Sequence, residues 1–189
     1  RQAIQRLSAS GRRTVAYLDM ASFSGNREYF LASAANEIWV VPAGIVPLVG
    51  LAAEYYFLGG LWEKLGIEFD VAKAGRYKRA VEAYTATGMS EPSREMANSL
   101  LDSTNEFFIS GIAQGRDLSP GSVRAAIDQG PISPADLEGL GMVDSVGHLD
   151  DLLNDFGGPV VEHEVYVQVD PAELGFDPVA RVALIYGTG

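Results

Sequence analysis

An α/β fold is predicted by three observations. Short apolar runs of strand length alternate with helix-like periodicities over the first 75 residues, and serine–proline pairs placed to open helices recur in the next ninety. A composition of 47% hydrophobic and 21% charged residues is that of a chain that buries a core. At 189 residues the chain suits one domain, or one domain with a piece of another.

Taken in order, the first element is Thr14-Val15-Ala16-Tyr17-Leu18-Asp19, a β-branched and apolar run after the basic turn Gly11-Arg12-Arg13, which reads as a buried strand. A helix is predicted from Arg27 to Ala35, with Tyr29, Phe30 and Ala34 on one face and Asn36 as its stop. Ile38-Trp39-Val40-Val41 is the next strand, ended by Pro42. Between Ala52 and Leu65 the residues Tyr55, Leu58, Leu61, Trp62 and Leu65 recur at helical spacing. Gly59-Gly60 weakens that helix by roughly 1 kcal/mol per glycine, a cost explained if another backbone packs closely there. Gly66 is a suitable C-cap, and the alternation in Ile67-Glu68-Phe69-Asp70-Val71-Ala72 predicts a strand.

Beyond the loop at Gly75, Ser90 and Pro92 open a long helix that ends near Gly115, with Met96, Leu100, Leu101, Phe107, Phe108 and Ile112 as its apolar stripe. Ser119-Pro120 and Ser133-Pro134 predict two short helices, the second with Asp136 approximating a capping box. A further helix from His148 to Phe156 ends at Gly157-Gly158-Pro159, the preferred domain boundary. In the tail, Val165 to Val169 alternates as a strand does. Arg181 to Tyr186 begins another buried strand, whose sheet partners are expected in sequence following Gly189.

Composition narrows the chemistry. Without cysteine there is no thiolate metal site, thiol nucleophile or disulfide. A formal charge of -11 repels phosphate backbones and anionic lipid heads, so nucleic acid is not an expected partner. No apolar stretch reaches the ~18 residues a membrane helix needs. His148 and His163 are too far apart in sequence for a recognisable ligand spacing, and no phosphate-cradling glycine motif occurs, so neither metal nor cofactor is expected. No G-x-S-x-G elbow is present, and Ser24, in the loop Phe23-Ser24-Gly25-Asn26, has no base tied to it by sequence.

The segment Gly75-Arg76-Tyr77-Lys78-Arg79-Ala80-Val81-Glu82-Ala83-Tyr84 carries more information. Burial and the cationic neighbours Arg76 and Arg79 would lower the amine pKa of Lys78, and a neutral amine can take a proton from a serine hydroxyl. Spacing alone favours a solvated surface charge there, as at Lys64 and Lys73.

The run GRYKRAVEAYT…GMSEPSRE resembles the GxYKSAVEPF…MSxxxRE signature of the signal peptide peptidase A family, also called protease IV, which are membrane-anchored bacterial serine peptidases. Upstream, Tyr29-Phe30-Leu31-Ala32-Ser33-Ala34-Ala35-Asn36-Glu37-Ile38-Trp39 is similar to the family's YYLAS-ANxIW helix and strand, continued by the turn at Pro42 and Gly44. Downstream, Gly141-Met142-Val143-Asp144-Ser145-Val146-Gly147 resembles its GLVDxxG segment, so that residues 12 to 157 are covered.

The resemblance implies a crotonase-like (ClpP-like) α/β superhelix of repeated ββα-type units followed by a C-terminal helical segment. It further implies the first half of a two-domain member: residues 1–158 form the first domain, without its opening strands, 159–180 a linker, and 181–189 the start of the second. In such members the first domain supplies a lysine general base and the second the serine nucleophile. The lysine falls on Lys78, while Asn26 stands where a nucleophile-bearing domain has its serine. The implied protein is a Ser/Lys endopeptidase on the extracytoplasmic side of the bacterial cell membrane. It would cleave leftover signal peptides, assemble as a homo-oligomer and reach the membrane only through an anchor preceding Arg1. An isolated piece with this sequence is expected to be inactive. Two other readings remain: a scaffold domain with a vestigial lysine, and an acyl-CoA enzyme on the same fold.

Overall fold

Three short strands, β1 (Val15–Leu18), β2 (Glu37–Val40) and β3 (Ser145–Val146), form a parallel sheet in the order β1-β2-β3. Val15 pairs with Glu37 and Leu18 with Val40, while Trp39 and Val40 pair with Ser145 and Val146. The coordinates are a computed structural model that describes residues 1–19, 25–43, 45–72, 75 and 80–170. The backbone divides into two units, Arg1–Leu149 and Asp150–Gly189.

In the first unit, helix α1 (Gln2–Ala9) precedes β1, and α2 (Gly25–Ala32) makes the crossover from β1 to β2. Parallel neighbours require such a crossover, because no tight turn can join strands that run the same way. The helix ends at Ala32, before the stop expected at Asn36; Asn36 instead ties the turn ahead of β2 to Thr14, its side-chain oxygen accepting from the Thr14 backbone N–H at 3.0 Å and its own N–H reaching Thr14 Oγ1 at 3.0 Å. α3 (Gly59–Leu65), α4 (Glu82–Thr85), α5 (Glu91–Arg116), α6 (Pro120–Asp128) and α7 (Pro134–Gly139) follow. In each of the last three the preceding serine, Ser90, Ser119 or Ser133, accepts a hydrogen bond from the backbone N–H three residues on, and proline sits in the first turn.

The core joins Leu18, Ile38 and Val40 of the sheet to Tyr29 of α2, to Ile109 and Ile112 of α5 and to Leu137 and Met142 beyond. At its edge, Tyr29 is fully buried and donates its hydroxyl to the Met142 carbonyl at 2.6 Å; burial raises the phenol pKa. Arg116 grips both oxygens of Asp144 at 2.8 Å, and Asp144 also accepts from the Ile38 N–H at 2.7 Å. Burial pushes the Asp144 pKa up, but the Arg116 hydrogen bond and the Ile38 N–H outweigh it and hold the carboxyl below its ordinary value. β3, which the sequence reading did not identify, sits in this Gly141–Gly147 stretch and is only two residues long.

Three further expectations need correction. The helix expected over residues 52–65 begins only at Gly59, so the glycine pair opens it rather than interrupting it. The close approach foreseen there is present: a Cβ on Gly59 would lie 2.5 Å from the Ala86 carbonyl carbon and oxygen. Residues 67–72 alternate but form no ladder among the described residues; they are exposed, and Phe69 packs edge-on against Trp62 instead. The stripe of α5 is displaced: Ser93, Ala97, Ile109 and Ala113 are buried with Phe108 and Ile112, whereas Leu100 and Phe107 are 59% and 68% exposed. Small side chains, which hydrophobic periodicity passes over, make the close contact.

In the second unit, α8 (Leu149–Phe156), which begins at its boundary, ends at Gly157 with φ 63, as the glycine pair predicts. The alternating stretch Val165 to Val169 is a correction too, since it begins within the helical turn α9 (His163–Tyr166) and forms no strand. The strand expected from Arg181 lies outside the described residues, and no described helix is long and apolar enough to cross a membrane.

Candidate functional site

Lys78, Arg76, Arg79 and Ser24 lie outside the described residues, so the candidate site is built from what surrounds residues 76–79. Before them stands Gly75, whose φ of 103 suits a residue without a Cβ. After them the chain turns at Ala80 and Val81 into the single turn α4. The stretch leading into α3 lies against that turn: Leu58 donates its backbone N–H to the Ala83 carbonyl at 2.8 Å and Gly59 donates to Ala86 at 3.0 Å.

The first residue of α4, Glu82, is 8% exposed. Its carboxylate accepts from two hydroxyls at the start of α5: Ser90 Oγ to Oε1 at 2.7 Å and Ser93 Oγ to Oε2 at 2.5 Å. Beside it opens an apolar cleft of about 200 Å³ lined by Tyr55, Tyr56, Phe57, Ala80, Ala83 and Met89, with Glu82 and Ser93 also on its surface. Glu82 was legible only as a letter within the motif, and Ser90 only as a helix opener. An acid eight and eleven residues ahead of two serines at a helix start is the pattern that could have marked the cluster.

Asn26 lies in the first turn of α2, and its amide pairs both ways with one backbone residue: Nδ2 donates to the Val49 carbonyl at 2.8 Å and Oδ1 accepts from the Val49 N–H at 3.0 Å. An amide offers no nucleophile, and this one fastens residues 47–49 to the start of α2. Among the described residues no group of three or more His, Asp or Glu side chains could hold a metal, and the two histidines are exposed and in different units.

Comparison with known proteins gives the class directly. The profile of peptidase family S49 matches residues 6–157, and the chain belongs to that family, which contains signal peptide peptidase A and protease IV. It is 29% identical over 185 residues to the chloroplastic serine protease SPPA of Arabidopsis thaliana, covering 93% of this chain and 27% of that protein. It is 33% identical over 93 residues to Protease 4 of Salmonella typhi, covering 49% and 15%, and 28% identical over 139 residues to the putative protease MJ0651 of Methanocaldococcus jannaschii, covering 74% and 43%. The chain thus spans less than half the length of each of these relatives.

Proposed function

We propose that this chain is the lysine-bearing part of a Ser/Lys endopeptidase, with Lys78 as general base and the serine nucleophile supplied by polypeptide outside these 189 residues. The observation that carries the reading is the family match running through the Gly75–Thr85 segment, where this sequence keeps the family's tyrosine–lysine pair. In acylation the neutral Lys78 amine takes the serine proton while the serine oxygen adds to the scissile carbonyl. The resulting ammonium gives that proton to the departing amine as the C–N bond breaks. In deacylation the amine activates a water, which releases the acid product and restores the serine.

The apolar cleft beside Ala80 and the use of the Asn26 amide as a fastener both support this reading. On it, residues 1–158 form a crotonase-like domain, 159–180 a linker and 181–189 the start of a second domain. Cleaved signal peptides are the substrates, and the assembly is a membrane-associated homo-oligomer working on the extracytoplasmic side.

Replacing Lys78 with Ala in the full-length protein tests the assignment. A general base contributes at least about 100-fold, so peptide hydrolysis should fall by that factor or more while unfolding and assembly stay as in the parent. Hydrolysis within about tenfold of the parent would reject the base assignment and favour a scaffold role.

A further inference from the structure

We propose that Glu82 is a positioning residue for Lys78, holding the described residues that follow it, Ala80 to Glu82, against the first turn of α5 through the hydroxyls of Ser90 and Ser93; this rests on the reading of Lys78 as the base. The three side chains form one hydrogen-bonded cluster, with Ser90 Oγ also 3.0 Å from Ser93 Oγ. Ser93 gives its one hydroxyl proton to Glu82 Oε2 at 2.5 Å, and Ser90 gives its own to Oε1 at 2.7 Å. Ser90 Oγ then keeps its lone pairs for the Ser93 backbone N–H at 3.4 Å, the ordinary cap of the helix. Each carboxylate oxygen therefore has its own donor.

The cap needs no carboxylate from outside the helix. Ser119 and Ser133 cap α6 and α7 using only residues of their own first turns, Ser122 and Asp136. Burying a carboxylate is costly unless its partners are fixed, and here the partners come from a different element from the acid. What the arrangement fixes is the segment that carries Glu82. Lys78 is four residues upstream, within about 14 Å of chain reach. The chain therefore leaves toward Lys78 from a fixed point, and a base has to come within about 3 Å of the hydroxyl it deprotonates.

The test uses the full-length enzyme and a peptide substrate, with kcat, KM and melting temperature measured for each variant. Glu82→Ala and Ser93→Ala should each lower kcat by about 10- to 100-fold with KM within about twofold of the parent, because a misplaced base slows chemistry without weakening substrate binding. The double variant should be no worse than Glu82→Ala alone, since both substitutions break one unit. Ser93→Thr, which keeps the hydroxyl and can place its methyl toward the cleft, should recover most of kcat. If Glu82→Ala does not fold, Ser93→Ala and Ser93→Thr carry the comparison alone.

Unchanged kcat in Ser93→Ala, or losses that multiply in the double variant and track melting temperature, would overturn the proposal. With Lys78→Ala inactive, either of those results leaves the base assignment standing and removes only Glu82. An active Lys78→Ala variant removes both.

Discussion

The sheet end of the molecule and the stretch from residue 52 to residue 93 are held together in different ways. Around β2, apolar side chains are buried to within a few per cent, and the polar groups at the edge, Tyr29, Arg116 and Asp144, are all engaged. Along the second stretch Tyr56, Leu61, Leu65, Ile67 and Phe69 are 44–77% exposed, regular structure is short, and backbone contacts with one buried carboxylate provide the fastening. The first region owes its stability to area removed from water. The second owes its shape to a few directional bonds, and it is there that the family motif lies.

That contrast can be broken or sharpened by four substitutions and one control read by chemical denaturation. Ile38→Ala, in the fully buried middle strand, should cost about 2–5 kcal/mol. Gly59→Ala should cost about 1–3 kcal/mol and less than Ile38→Ala in the same measurement, because its Cβ would meet the Ala86 carbonyl and only a shift of backbone can relieve the contact. A cost as large as that of Ile38→Ala would show that the second region is as tightly packed as the first.

Asp144→Asn should cost about 1–2 kcal/mol at neutral pH through weakened charge-assisted bonds to Arg116. The folded pKa of Asp144 is depressed, so its contribution is complete above the unfolded value of about 3.9 and is lost as pH falls through the lower folded value. The difference between parent and variant should therefore hold steady at neutral pH and shrink below about pH 4. Glu37 titrates in the same direction, its carboxyl held low mainly by the Arg13 hydrogen bond, so Glu37→Gln is the control for that window. Tyr56→Ser, at 77% exposure, should change stability by no more than about 0.5 kcal/mol.

The sheet end was the more legible region for the same physical reason. β1, β2 and α2 announce themselves because burial on a face imposes a period, and the Ser-Pro pairs announce α5, α6 and α7 because capping is local chemistry. β3 left too short a trace, as two residues carry no period. The periodicities at 52–65 and 67–72 misled because an amphipathic pattern records which side chains could be buried together, and here much of the surface they would cover stays open. At the candidate site, the lysine came from the motif and lies outside the described residues. The Glu82 cluster was unreadable because its partners are neither periodic nor adjacent.

Helix α5 connects the two regions and is fastened at both ends. At 26 residues it is about 39 Å long, with Ser90 and Ser93 gripping Glu82 at the start and Arg116 gripping Asp144 at the finish. Near the finish, a Cβ on Gly115 would strike the Ser33 carbonyl and one on Gly111 the Phe30 ring, so the helix rests directly against the end of α2. It behaves as a tie-rod with one end set in the wall: it can neither roll nor slide without driving a side chain into a neighbour. Any adjustment demanded near the motif must then be absorbed locally, in the few residues between Ala80 and Ser93, before it can disturb the strands.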